Sequence, residues 1–187
     1  MGTPEDERSL ADSLRTEHPR LWAYLTALRP GRRLSGTVAA IESFGVFVDL
    51  DDAPGHPVFP GVGFITMPEL SWHRFDDPSE VVTVGQRITC EFLGFDTYNG
   101  EARLSLRATR ADPFQEFARR AHAGQILYGT VTKVVPFGAF VRVADGVEGL
   151  VHFGEAAAPA TMAAGDEVTV IVVGIDAVRR RLALARR

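Results

Sequence analysis

The sequence has little of several features that define large classes of proteins. Its 187 residues include one cysteine, Cys90, so no disulfide can form within the chain, and its five histidines lie too far apart for a compact zinc module. It has no run of about 18 apolar residues, the length that spans a membrane. Its first residues are acidic where a secretory signal would be basic and then apolar. We therefore expect a cytoplasmic protein with no metal, no cofactor and no membrane partner.

Positive charge is also scarce, because the chain carries a net charge of -4. Phosphate groups are bound mainly by Lys and Arg, so this average argues against nucleic acid as a partner. An average can hide segments of opposite sign, however. The apolar fraction of 45% is enough for packed cores, and the length suits one domain or two small ones.

The sequence does contain an internal repeat. Gly36–Val38 recurs as Gly129–Val131, and Phe44–Val48 recurs in altered form as Phe137–Val141, at the same displacement along the chain. Further matches follow in the same order, with longer loops in the first copy. Two independent matches at one displacement indicate a tandem duplication.

Each copy has the pattern of a β-barrel. Apolar residues alternate in 46–50 and 139–143, as in strands with one buried face. Five short strands separated by Gly and Pro turns predict a mainly β chain with two OB-type barrels. The predicted parts are a helical N-terminal segment (1–30), the first barrel (31–108), a helical linker (109–123) and the second barrel (124–187).

Two segments outside the barrels are predicted to be helical. Asp112-Pro113 is typical of a helix N-cap followed by a first-turn proline, and Gly124 would end that helix. The N-terminal helices would begin their second segment at Pro19. Their apolar stripe consists of Leu10, Leu14, Leu21, Trp22, Leu25 and Leu28.

Taken together, the repeated motifs resemble a known family. Residues 129–143, GTVTKVVPFGAFVRV, followed by GVEGLVH at 146–152, resemble the S1 domain, an OB-type RNA-binding module. Residues 69–73 and 77–86, with the segment 105–125, resemble two consecutive middle repeats of the ribosomal S1 family of high-GC bacteria. The resemblance covers about residues 31–186. It implies binding of single-stranded RNA, with mRNA and translation as the expected context.

The strand pattern supports the same function on physical grounds. Phe140 and Arg142 share the face opposite the buried side of their strand, so a ring and a guanidinium are presented together. A base stacked on such a ring is worth about 1 to 3 kcal/mol, and the Arg can stack or bind phosphate. Gly138 allows a close approach of the backbone or a bulge, which would bring Phe137 to the same surface.

The family positions complete the predicted site. The resemblance places His152 beside these rings and Asp176 and Arg181 on the last two strands, although Arg180 is an alternative to Arg181. The predicted RNA-binding residues are Phe137, Phe140, Arg142, His152, Asp176, Arg180, Arg181 and Lys133.

The first copy is expected to bind RNA more weakly. It keeps Phe44, Phe47, Asp96 and Arg103, but Asp49 stands at the position of Arg142 and Thr66 at that of His152. Residues 32–108 hold 6 basic and 11 acidic side chains, whereas 109–187 hold 10 basic and 8 acidic ones. The repeat thus resolves the negative average into an acidic barrel and a basic one, and the second barrel should dominate binding.

Two other classes of function remain as alternatives. An enzyme is not expected, because no nucleophile with its supporting motif, no phosphate-binding Gly loop and no paired catalytic carboxylates are present. A protein-interaction module, such as a regulator or immunity-type protein on an S1 scaffold, would also fit. Its contacts with another protein or the ribosome would use the acidic first barrel, its Pro-rich insertion Asp52–Gly61 with Phe59, and the Leu/Trp stripe before Pro30.

Overall fold

The computed structural model describes residues 13–153 and 162–187. The chain divides into two units between Ala111 and Asp112. Each unit contains a closed five-stranded barrel, which confirms the predicted mainly β, tandem-barrel fold. One residue used in the sequence analysis, Leu10 of the helical stripe, lies outside the described residues.

The first unit has the strand order of an OB barrel, β1-β2-β3-β5-β4, closed by pairing of β4 with β1. All its strand pairs are antiparallel except β3 with β5. Its helices are α1 (Pro19–Ala27) and α2 (Met67–Leu70). Its strands are β1 (Arg33–Glu42), β2 (Gly45–Leu50), β3 (Gly63–Thr66), β4 (Arg87–Asp96) and β5 (Glu101–Ser105).

The second unit repeats this topology. Its barrel order is β10-β8-β7-β6-β9, and its one parallel pair joins β8 and β10. A helix, α3 (Pro113–Arg120), precedes the barrel. The strands are β6 (Ile126–Val135), β7 (Gly138–Ala144), β8 (Val147–His152), β9 (Glu167–Asp176) and β10 (Arg181–Arg186).

The alternating residues fill the barrel interiors, as the period-two pattern predicts. Val46 and Val48 on β2, and Ala139 and Val141 on β7, are at most 1% exposed. Gly138 allows β7 and β8 to approach, since a Cβ there would lie 2.4 Å from the carbonyl oxygen of Val151. The strands that carry the candidate site are therefore held by tight packing.

The N-terminal helices belong to the first unit. Residues 13–17 are helical, and α1 begins at Pro19 as predicted. Leu21, Leu25 and Leu28 are buried in the core of the first barrel, and the Trp22 ring meets that of Phe95 edge to face at 5.4 Å. The described residues of the apolar stripe are thus packed against the barrel of their own unit.

Helix α3 packs on the second barrel. The Asp112 carboxylate accepts a hydrogen bond from the backbone N–H of Phe114 at 2.9 Å, which is the predicted N-cap. The Phe114 ring is 3% exposed in the core of the second unit, and Gln115 Nε2 donates to the carbonyl of Ala177 at 2.7 Å. The segment predicted as a linker therefore includes a structural part of the second unit.

Candidate nucleic-acid interface

In the second unit, the outward faces of β7 and β8 bring the predicted rings together. The strand register sets Gly138 opposite His152 and Phe140 opposite Leu150. Phe137 immediately precedes β7, and its ring centroid is 6.4 Å from that of His152, with 56% of the residue exposed. Phe137 and His152 thus share one surface, as the sequence analysis expected despite the odd spacing of the two phenylalanines.

The same faces line an open groove of about 440 Å³. Strand β10 forms its other side, because it runs parallel to β8 with Ala183 aligned to Leu150. The floor is apolar and the edges are polar, which suits a stacked base with a charged backbone. The lining residues are Phe140, Glu148, Gly149, Leu150, His152, Arg180, Arg181, Leu182 and Ala183.

Three consecutive arginines follow β9, and the structure separates their roles. Arg179 pairs with Asp176, whose carboxylate accepts the Arg179 N–H at 2.9 Å; this backbone hydrogen bond lowers the pKa of Asp176. Arg180 adopts the left-handed conformation (φ 52°) and forms an ion pair with Asp112 of α3. Arg181 is exposed and has no ion pair within the described residues. Of the two alternatives, Arg181 is thus the guanidinium left to meet a ligand.

Arg142 and Lys133 extend the positive surface beside the groove. Lys133 on β6 is in register with Phe140, and Arg142 is exposed two residues further along β7. Arg142 also lines a neighbouring depression of about 370 Å³ together with Tyr128. Tyr128, 76% exposed, was not singled out in the sequence, because its alternation on β6 is indistinguishable from that of an ordinary surface residue.

In the first unit, the corresponding ring is covered by the chain itself. Phe47, the counterpart of Phe140, is only 6% exposed. Its ring stacks on that of Phe59 at 5.3 Å with 21° between the planes, and it also meets the rings of Phe64 and Phe44. Period-two alternation placed Phe47 on the outer face, but the Pro-rich insertion folds over that face and buries the ring.

His56 completes this cover. Its ring stacks on Phe59 at 4.7 Å, and its Nδ1 accepts hydrogen bonds from the backbone N–H groups of Val58 (3.1 Å) and Phe59 (2.9 Å). Nε2 lies 3.0 Å from the carbonyl oxygen of Asn99 and therefore carries the proton in the neutral ring. Burial lowers the pKa of His56, and the nearby His18 acts in the same direction. A neutral His56 thus fixes the insertion in place.

The arginine of the first unit that matches Arg181 is also bound by partners within its own unit. Arg103, the counterpart of Arg181, donates to Asp96 from Nε at 3.1 Å, approaches Glu101 at 3.5 Å and lies 5.0 Å from the Phe64 ring centroid. Burial would raise the pKa of Asp96, but the hydrogen bonds from Arg103 and from the Asn99 N–H outweigh it and lower that pKa. The pair corresponding to Asp176 and Arg181 is therefore closed on itself in the first unit.

Phe44 is the exception in the first unit, since 59% of it is exposed. Asp49 is also exposed on β2 and would repel a phosphate that approached this ring. The residues that the sequence analysis did not weigh here are His56 and Phe64. Phe64 is the counterpart of Leu150 in the repeat, so the repeat itself could have indicated a ring at this position.

The structure gives no separate site for a metal or a membrane. Within residues 13–153 and 162–187, no three His, Cys, Asp or Glu side chains are grouped so that they could hold a metal ion. No helix in that part of the chain is both long and apolar enough to cross a bilayer.

Comparison with known proteins identifies the family. The model of the S1 RNA binding domain matches residues 28–107 and 120–187. The small ribosomal subunit protein bS1 of Mycobacterium leprae (strain TN) is 44% identical over 168 residues, which cover 87% of this chain and 33% of the relative. The bS1 protein of Leuconostoc lactis is 34% identical over 166 residues, covering 86% of this chain and 37% of the relative.

The chain spans about a third of the length of these curated relatives. The matched family model is named for RNA binding and the relatives for the small ribosomal subunit, in agreement with the expectation of a non-enzymatic chain. The bS1 protein of Mycolicibacterium smegmatis, 43% identical over 168 residues that cover 87% of this chain and 33% of the relative, agrees with the high-GC bacterial resemblance. The two matched segments overlap the two barrels, and the chain therefore belongs to the S1 RNA-binding domain family.

Proposed function

We propose that the chain binds single-stranded RNA through the groove of its second barrel. One base would stack on Phe140 and a neighbouring base on Phe137 beside His152. Arg181, Arg142 and Lys133 would meet the phosphates along the two edges of the groove. Single strands are favoured because their bases can be splayed onto protein rings, whereas paired bases are already stacked on one another.

The observation that carries this proposal is the exposed ring of Phe137 beside His152, a residue of the open groove, together with Arg181, a groove residue that has no ion pair within the described residues. Exposing a large ring to water is unfavourable unless a ligand covers it. Net charge points the same way, since 109–187 hold 10 basic and 8 acidic residues. Both features suit a ligand with flat apolar bases and a negative backbone.

The first barrel is proposed to contribute little to RNA binding. Phe59 occupies the face of Phe47 on which a base would stack, and Arg103 is held by Asp96 and Glu101. A base would have to displace the insertion, whose own ring contacts would be lost. Of the two phenylalanines that the first copy keeps, Phe44 alone is exposed, and Asp49 adds a negative charge to the same unit.

The biological context follows from the relatives, which are proteins of the small ribosomal subunit. We propose that the RNA is mRNA or another RNA of the translation machinery, and that the protein works in the cytoplasm beside or on the ribosome. The chain spans only about a third of the length of these relatives, so ribosome contact is a separate proposal from RNA binding.

Fluorescence anisotropy with a short labelled single-stranded RNA tests the proposed site. The double variant Phe140→Ala/His152→Ala should weaken binding by about 2 to 6 kcal/mol if each ring stacks on a base. The control is Phe44→Ala, which removes an exposed ring from the first unit and should leave the affinity within twofold. Unchanged affinity of the double variant at low salt would show that the groove is not the binding site.

The protein-interaction alternative has one structural observation in its favour. The covered, acidic face of the first unit is suited to a partner other than RNA, because its rings are already packed together. This alternative predicts that the intact chain shows no affinity for RNA at low salt. Measurable RNA binding that depends on Phe140 and His152 would exclude it as the sole function.

A further inference from the structure

One carboxylate lies inside the proposed RNA groove. Glu148 on β8 is in register with Arg142 on β7. On its other side, β8 runs parallel to β10 with Leu150 aligned to Ala183. Glu148 and Arg181 each lie two residues before these aligned positions, so they stand at the same level on neighbouring strands. Its neighbours Val147 and Gly149 are buried, so Glu148 takes the outward face and lines the groove together with Phe140.

Glu148 differs from the other carboxylates around it. Asp176 pairs with Arg179, Asp112 with Arg180, and Glu167 accepts a hydrogen bond from Thr130 at 2.8 Å. No hydrogen bond or ion pair of the Glu148 carboxylate occurs within residues 13–153 and 162–187, although arginines stand on both neighbouring strands. A strong acceptor therefore remains available, half-buried, beside the ring on which a base would stack.

A carboxylate at this point cannot serve the RNA backbone. It repels phosphate, whereas the edges of bases carry N–H donors that it can accept. The four bases differ in what they offer on the Watson–Crick edge. Guanine presents two adjacent donors, N1–H and the N2 amino group, which match the two oxygens of a carboxylate in a charge-assisted pair.

The other bases fit the carboxylate less well. Cytosine and adenine each place one amino donor next to a ring nitrogen that repels the second oxygen. Uracil offers one N–H between two carbonyl oxygens. We propose that Glu148 reads the Watson–Crick edge of the base stacked on Phe140 and selects guanine, a specificity that rests on the proposed function and extends it.

The first unit lacks this feature. By the repeat, Gly149 corresponds to Gly63, so the position of Glu148 is held by Val62, which is 1% exposed. The repeat therefore does not require a carboxylate here for folding. Guanine selection would belong to the second barrel alone.

Anisotropy on the full chain tests the proposal with four heptamers, UUU-N-UUU, in which only the central base varies. The wild type should bind the guanine heptamer at least about fivefold more tightly than the uracil heptamer, the lower end expected for one bidentate contact. Glu148→Gln should reduce this ratio to below twofold while leaving binding of the uracil heptamer unchanged or slightly tighter. Glu116→Gln, which removes an exposed carboxylate from α3 of the same unit, should preserve the ratio.

A change in the RNA supplies the second arm. Replacing the central guanine by inosine removes the N2 amino group, so the wild type should lose affinity and Glu148→Gln should not. An unchanged inosine response in Glu148→Gln would overturn the inference, and so would equal binding of all four heptamers by the wild type. If Glu148→Gln binds all four heptamers more tightly by the same factor, Glu148 only repels phosphate. If it binds all four more weakly by the same factor, Glu148 only supports the fold. Either result would overturn base selection and leave the proposal of RNA binding in place. No binding of any heptamer by the wild type would instead refute the proposed function.

Discussion

The cover over the first barrel can be tested by removing the ring that forms it. Phe59 stacks on Phe47 at 5.3 Å and on His56 at 4.7 Å. Aromatic pairs of this kind are worth about 0.5 to 1.5 kcal/mol each beyond the area that they bury. Phe59→Ala removes both pairs and should lower the free energy of unfolding of the first unit by about 1 to 3 kcal/mol.

The chain offers a convenient probe for this measurement. Both of its tryptophans, Trp22 and Trp72, lie in the first unit. Urea denaturation followed by tryptophan fluorescence therefore reports the first barrel without interference from the second. The control is Phe137→Ala, a deletion of an exposed ring in the second unit, which should leave this transition unchanged within about 0.5 kcal/mol.

A double-mutant cycle separates stacking from loss of bulk. If Phe59 and His56 stabilise each other, the effects of Phe59→Ala and His56→Ala should not add, and the coupling should be about 0.5 to 1.5 kcal/mol. A Phe59→Ala variant whose transition shifts by less than about 0.5 kcal/mol would mean that the insertion does not pack on Phe47. The argument that the first barrel is closed to bases would then fail.

Three further results are expected. The pKa of His56 lies below its ordinary value of 6.5, so the unfolded chain takes up the proton before the folded chain does. The stability that neutral His56 gives the first unit is therefore complete above pH 6.5 and is lost as the pH falls below that value. Urea titrations should show a flatter pH dependence of this stability for His56→Asn. Arg103→Met leaves Asp96 beside Glu101, and burial raises the pKa of Glu101. The variant should destabilise the first unit by about 2 kcal/mol at pH 7 and by less in acid, where the carboxylates take up protons. Thermal unfolding at the two pH values measures the difference. Arg181→Ala should reduce the slope of the logarithm of RNA affinity against the logarithm of salt concentration by about 0.7. Arg180→Ala should leave this slope unchanged. It should instead lower the stability of the second unit, measured by calorimetry, by about 1 to 2 kcal/mol.

The barrels themselves were predictable because two independent regularities agree. Alternation in residues 139–143 predicts a strand with one buried face, and the structure buries Ala139 and Val141 completely. The repeat doubles this evidence, since any element supported in one copy is expected in the other. The placement of Phe140 and His152 on neighbouring strands of the second unit follows in the same way, because β7 and β8 are joined by a short turn that leaves little freedom in their register.

The sequence could not predict contacts between distant parts of the chain. Arg180 pairs with Asp112 across 68 positions, and neighbouring residues say nothing about which of three arginines will turn toward α3. The sequence did not predict the cover over Phe47 for the same reason. A period of two gives the face on which a ring lies, but whether a proline-rich loop folds over that face depends on packing that only the tertiary structure supplies.

Residues shared by two domain copies are a poor measure of what each copy binds. Phe47 and Arg103 occupy the positions of Phe140 and Arg181, so a count of matching residues would rank the copies as near equals. A stacking ring binds a base only if nothing else covers it, and a guanidinium binds phosphate only if its existing carboxylate partners can be displaced at low cost. In the first unit Phe59 already covers the Phe47 ring and Asp96 already binds Arg103. Because these partners belong to the same unit and are always present, a dilute ligand would have to displace them. The difference in RNA affinity between the two barrels should therefore come in part from these internal partners, and removing them should raise the affinity of the first barrel.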